Sequence, residues 1–179
     1  MRNKVTGESS RHISVRDIAM IGMMTAALEA AKLSLSFLPN VELVTLMVIL
    51  FTLCMGGRAL FSVVAFVGVE CLVWGPGPWT VMYLYIWPGL SILTLLCRRQ
   101  RAVWFWSVLS GMFGLLFGAL CAIPYLFIGG IQTAVAWWIA GIPWDILHGI
   151  SNFVICMVLF CPLRKVLERL VKTWGVPRE

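Results

Sequence analysis

Charge is scarce in this sequence: 14 Lys and Arg with 8 Asp and Glu amount to 12% of its 179 residues, and there are only 2 His. At 60% hydrophobic and a mean hydropathy of +0.92, the composition excludes a soluble domain. The six Cys, at positions 54, 71, 97, 121, 156 and 161, include no CxxC and no loop cluster with metal-ligand spacing. They read as small buried hydrophobes, and no metal centre is expected. Asp145 and His148 lack further ligands at matching depth, and His12 is the only other His. No Gly-rich phosphate-binding motif occurs, so ATP hydrolysis by the chain itself is excluded, and no cofactor is expected. Ser110 with His148 is the one nucleophile–base pair to weigh, as in an intramembrane serine protease. Val108 stands where Gly is expected two residues before the nucleophile, and the pair falls in opposite halves of the chain's apolar depth. An enzyme is therefore not expected. The N-terminus has no cleavable signal pattern, since a polar segment precedes an apolar run too long for a signal core.

What is present is a set of long apolar runs separated by cations. Arg2, Lys4, Arg11 and Arg16 precede the first run, and Arg58 follows the second. Arg98, Arg99 and Arg101 follow the fourth, and Arg164, Lys165, Arg169, Lys172 and Arg178 follow the last. The alternate connections, around Pro39-Asn40, Gly75 to Trp79 and Gly129 to Ile142, hold no cation. Short loops rich in Lys and Arg stay cytoplasmic. The pattern predicts a compact all-α bundle of six transmembrane helices with both termini cytoplasmic, a multi-pass protein of a prokaryotic cytoplasmic membrane. Six helices of about 20 residues use most of the length. The net charge of +6 then suits anionic headgroups of the lipid bilayer, and no nucleic-acid partner is expected.

Along the chain, residues 1–13 are expected to be a mobile cytoplasmic segment, 14–162 the six-helix domain and 163–179 a basic cytoplasmic tail able to lie on the membrane surface. Ser14-Val15-Arg16-Asp17 is a capping box, and the first helix should run to about Phe37, before Pro39. The second is expected over 41–55, the third over 59–74 and the fourth over 79–97, with a bend at Pro88. The fifth carries Gly114-x-x-x-Gly118-x-x-x-Ala122, a face that permits close helix contact. Residues 129–142, apolar and with Trp137-Trp138, are read as an outer connection folded back as a lid. Pro143 and Asp145 suit the first turn of a sixth helix.

Polar residues inside the apolar runs are the candidate site. Glu29 and Lys32, three apart on the first helix, face the same way and are expected to pair, and Glu70 on the third helix reaches similar depth from the same side, so the group is either a brace or the floor of a cavity. Asp145, His148 and Asn152 form one stripe on the last helix. Asn40 and Glu42, at the outer start of the second helix, and Tyr83 and Tyr85, near the outer end of the fourth, converge with that stripe on one side. This convergence favours a water-accessible substrate pocket over packing contacts. Trp138 and Trp144, with Trp137, lie beside the expected lid and the stripe and are added to the pocket. On the first helix Gly22, Ala26 and Ala30 repeat every four residues, with Ala27 and Ala31 alongside. Such a face serves packing within the bundle or docking of a separate membrane subunit.

The segment Leu38-Pro39-Asn40-Val41-Glu42-Leu43-Val44-Thr45, the alanine-rich first helix and the stretch Gly141-x-Pro143-x-Asp145-x-x-His148-x-x-x-Asn152 resemble the S components of energy-coupling factor (ECF) transporters. The resemblance runs from Ser14 to about Leu170. It implies a substrate-binding membrane subunit that captures a vitamin-like small molecule from outside, a cobalamin-type ligand being the class favoured. It also implies docking on a transmembrane T component driven by two cytoplasmic ATPases. Ala26 and Ala30, with Ala27 and Ala31, then match the family's docking motif. Nickel- and cobalt-binding members use an N-terminal His-bearing segment, and the charged N-terminus here argues against a metal substrate. The alternative is a non-transport adaptor that binds partner helices through small-residue faces.

Overall fold

The computed structural model describes residues 14–174, and they are helical almost throughout, with no strand among them. The expected segment 1–13, with His12, and the end of the basic tail lie outside the described residues. Helix α1 (Val15–Ser34) opens on the expected box. The Asp17 amide donates to Ser14 Oγ at 3.2 Å, and the Ser14 amide donates to Asp17 Oδ2 at 2.9 Å. Helix α2 (Val44–Met55) ends at Gly56, whose φ is 62°, and a turn of 3-10 helix (Gly56–Arg58) leads into α3 (Ala59–Trp74). Arg58 reaches back to Asp17 at 3.4 Å. Helix α4 (Pro78–Leu96) carries Pro at its first position and accommodates Pro88.

The last element, α5 (Val103–Thr173), differs from expectation. Its one non-helical residue is Gly130 (φ 74°, ψ −176°), backbone that only Gly adopts readily. The chain folds back there, and the two limbs run antiparallel. Tyr125 stacks on Trp137, Gly118 meets Asp145, Gly114 meets His148, and Trp106 stacks on Phe160. The expected lid at 129–142 is therefore helix from residue 131 onward, and Pro143 lies inside the second limb instead of starting it. The reason is solvent. In an apolar environment backbone groups without water must bond internally, so a long irregular apolar segment is replaced by helix, and interior Pro is tolerated. The basic stretch from Leu163 continues the same limb, with Leu167 and Val171 against the core.

Helix α2 is the centre of the bundle: nine of its twelve residues are buried. Around it Phe66, Leu90, Trp106 and Phe160 are almost wholly enclosed. Outside, large apolar side chains face outward on α1, α3, α4 and α5, Leu72 and Phe127 each 87% exposed. Such a surface suits lipid, not water. Three stretches are long and apolar enough to cross a bilayer by length and composition: 44–74, 78–96 and 103–173. The first comprises α2 and α3, and the third both limbs of α5.

Candidate functional site

The residues read as a polar stripe meet the α1–α2 connection deep among the helices. Asn40 takes the left-handed conformation (φ 56°) that Asn tolerates better than most residues. Its carbonyl accepts the Ser151 hydroxyl at 3.0 Å, which ties the connection to α5. Two residues on, Glu42 turns its carboxylate inward. It accepts the Thr45 amide at 2.8 Å and the Thr45 hydroxyl, and it meets His148 Nε2 at 3.3 Å. Thr45 Oγ1 in turn accepts from Asn152 Nδ2 at 3.2 Å. A carboxylate only accepts, so Nε2 is the nitrogen that carries the proton toward Glu42. The chain of bonds runs from Asn152 through Thr45 to Glu42, with His148 entering from the other side. The edge-on contact between Phe117 and the imidazole, 5.0 Å between centroids, closes one flank.

Asp145 is placed by a glycine. Its Oδ1 accepts the Gly118 amide at 3.0 Å across the hairpin, so it is a contact between limbs and not a first-turn cap. A Cβ on Gly118 would stand 2.2 Å from Asp145 Oδ2, and one on Gly114 would stand 2.8 Å from the His148 carbonyl. The small-residue face recognised in the sequence is what lets the two limbs come this close. Three atoms of the cluster are buried with no hydrogen-bond partner: Asp145 Oδ2, His148 Nδ1 and Asn152 Oδ1. Buried polar atoms are nearly always satisfied, so three in one cluster call for a physical reason. Ser110 Oγ is also buried without a partner, which means that it makes no bond to His148.

Other expected site residues lie apart from this cluster. Tyr85 donates to the Leu120 carbonyl at 2.6 Å, a structural bond between α4 and α5. Tyr83 stands edge-on between Trp79 and Trp87, with Lys32 Nζ 5.7 Å from its ring. Trp144 is 53% exposed on the outer face of α5, because successive helical residues point about 100° apart. Trp138 sits two turns nearer Gly130 than Asp145, beside a shallow depression with Ala122 and Ile123 of the other limb. Neither Trp joins the polar cluster.

The expected Glu29–Lys32 pair is corrected as well. Lys32 forms its ion pair with Glu70 of α3, while Glu29 Oε1 is buried without a hydrogen bond. Glu70 is 1% exposed, so it needs a counter-charge far more than the half-buried Glu29 does. The parallel packing of α1 against α3, seen also where Thr25 donates to the Ser62 carbonyl at 3.2 Å, brings the two together. On the small-residue face Gly22, Ala26 and Ala30 point outward, Ala27 is half-buried and Ala31 is buried.

Thr45, Ser151 and Gly118 were not singled out as site residues. Gly118 was detectable, since it lay within the small-residue motif, and Thr45 stood only within the Leu38-to-Thr45 segment. Ser151 had no such signal.

The fold and these buried groups define an α-helical membrane protein with a polar cluster inside its bundle. No family model, no curated protein and no solved structure matches the chain.

Proposed function

We propose that this protein is the substrate-binding membrane subunit of an importer of the energy-coupling factor type. In this reading it crosses a prokaryotic cytoplasmic membrane six times, through α1 to α4 and the two limbs of α5, with both termini inside. It takes a vitamin-like small molecule from outside and docks on a T component driven by two ATPases. The observation that carries the reading is the trio of unpartnered atoms, Asp145 Oδ2, His148 Nδ1 and Asn152 Oδ1. Two are acceptors by nature, and the third is an acceptor while the imidazole is neutral. A ligand rich in N–H and O–H donors satisfies all three. Cobalamin-type compounds are the first to test, followed by other donor-bearing vitamins. Entry requires the α1–α2 connection to move, which means releasing the Ser151–Asn40 bond and the Glu42–His148 contact that tie it to α5. The exposed Gly22, Ala26 and Ala30 supply the docking face.

The test is native mass spectrometry of the purified protein for a retained small molecule, followed by titration of a panel of vitamins. Leaving a donor unpaired costs about 1–3 kcal/mol. Asn152→Ala and His148→Ala should therefore weaken binding by roughly tenfold to a hundredfold. Absence of any bound or titratable vitamin, or affinities untouched by both substitutions, overturns the reading.

A further inference from the structure

Two cavities adjoin at the opposite end of the bundle from the polar cluster, where Arg58, Arg98 and Arg164 lie. The larger, about 200 Å³, runs between α1, α2 and the last turns of α5. Five methionines wall it, Met20, Met23 and Met24 from α1 with Met47 and Met55 from α2, and Trp174 stands at its end. The smaller, about 140 Å³, shares Cys54 and Val171 with the first and is polar, lined by Arg98, Arg164 and Glu168. Arg164 Nε donates to Glu168 Oε1 at 3.0 Å. The Arg98 side chain makes no hydrogen bond or ion pair among the described residues, so the smaller cavity keeps one uncompensated positive charge.

We propose that these adjoining cavities bind one anionic phospholipid, its acyl chain among the methionines and its phosphate on Arg98 and Arg164. Methionine is unbranched and adaptable, so it conforms to a chain that has no fixed shape. Arginine presents a planar fork of donors that matches phosphate oxygens, and Glu168 leaves Arg164 donors to spare. Basic pockets between helices at the membrane edge take anionic headgroups for this reason. Trp174 stands where indole rings favour the headgroup layer. The inference is independent of the transport reading.

The experiment uses the full chain in detergent, titrated separately with dioleoyl phosphatidylglycerol, dioleoyl phosphatidylcholine and inorganic phosphate. Native mass spectrometry and melting temperature are the readouts. The expected result is a single phosphatidylglycerol adduct with a saturable rise in melting temperature, neither of which the other two produce. Arg98 is exposed, so Arg98→Gln should fold normally and weaken the lipid about fivefold at low salt. Met23→Trp, at a half-exposed position, should abolish the adduct by filling the groove. Equal retention of phosphatidylcholine, or full competition by inorganic phosphate, overturns the proposal. So does an Arg98→Gln protein that binds phosphatidylglycerol like the parent.

Discussion

Lys32 and Glu70 show at the scale of single residues what burial demands of a charge. Glu70 is almost fully enclosed, and removing its cation leaves an uncompensated buried carboxylate. Lys32→Met should therefore destabilise the protein by about 3–5 kcal/mol. Adding Glu70→Gln should recover most of that loss, because the double variant has no charge to strand. Glu29→Gln should cost far less, since Glu29 is not the carboxylate on which Lys32 is bonded. Melting temperatures of the four proteins check this, and an equal loss from Glu29→Gln would mean that the cation is shared. Asp145→Asn is a different case. Asn keeps the oxygen that accepts the Gly118 amide, so stability should hold within about 1 kcal/mol while donor-bearing ligands lose affinity.

At the scale of elements the hairpin of α5 depends on glycine. Gly118→Ala drives a methyl into the Asp145 carboxylate, and the limbs must separate or Asp145 must turn away. Overpacking of this kind costs about 1–3 kcal/mol. Gly141 lies in the same element with open space around it, so Gly141→Ala should be neutral or stabilise by up to about 1 kcal/mol through helix propensity. Thermal unfolding of the two variants side by side is the measurement. Opposite signs are expected, and equal effects would show that the close approach is not what the glycine serves. On α1 the exposed Ala26 and Ala30 predict another separation. Under the proposed transport function, Ala26→Leu with Ala30→Leu should leave melting temperature and binding of the proposed ligand unchanged and block co-purification with a T component.

The whole molecule is defined by which end of the bundle carries its cations. Gln100 lies in the turn that joins α4 to α5, among Arg98, Arg99 and Arg101, and Gln132 lies just past the Gly130 bend at the other end of the limb. In a variant without native Cys, Gln132→Cys should react with an impermeant thiol reagent on intact cells, and Gln100→Cys only after permeabilisation. The reverse pattern rejects the proposed orientation. Labelling of both positions on intact cells rejects the first limb as a span.

Much of the architecture was legible in local signals. The Ser14–Asp17 box bounds its helix because capping chemistry acts within a few residues, whereas Pro78, left outside the fourth helix by the expected start at 79, takes that helix's first position. The small-residue face of α5 was legible too, because only close packing makes use of such a surface. The partner of each buried polar group was not. Lys32 chose Glu70 over Glu29, and His148 met Glu42 from more than a hundred residues away, because those choices depend on the rotation and register of whole helices. Residues 129–142 were misread for a related reason. Gly130 does break the helix, but past it Pro143, a breaker in water, is absorbed, because among apolar neighbours the backbone has no other donor or acceptor to turn to. The sequence by itself determined that the chain is helical and apolar on its outer surface. Only the tertiary structure decided which buried groups meet and which, like Trp138 and Trp144, stand outside, since burial in this bundle is a property of packed faces and not of residue types.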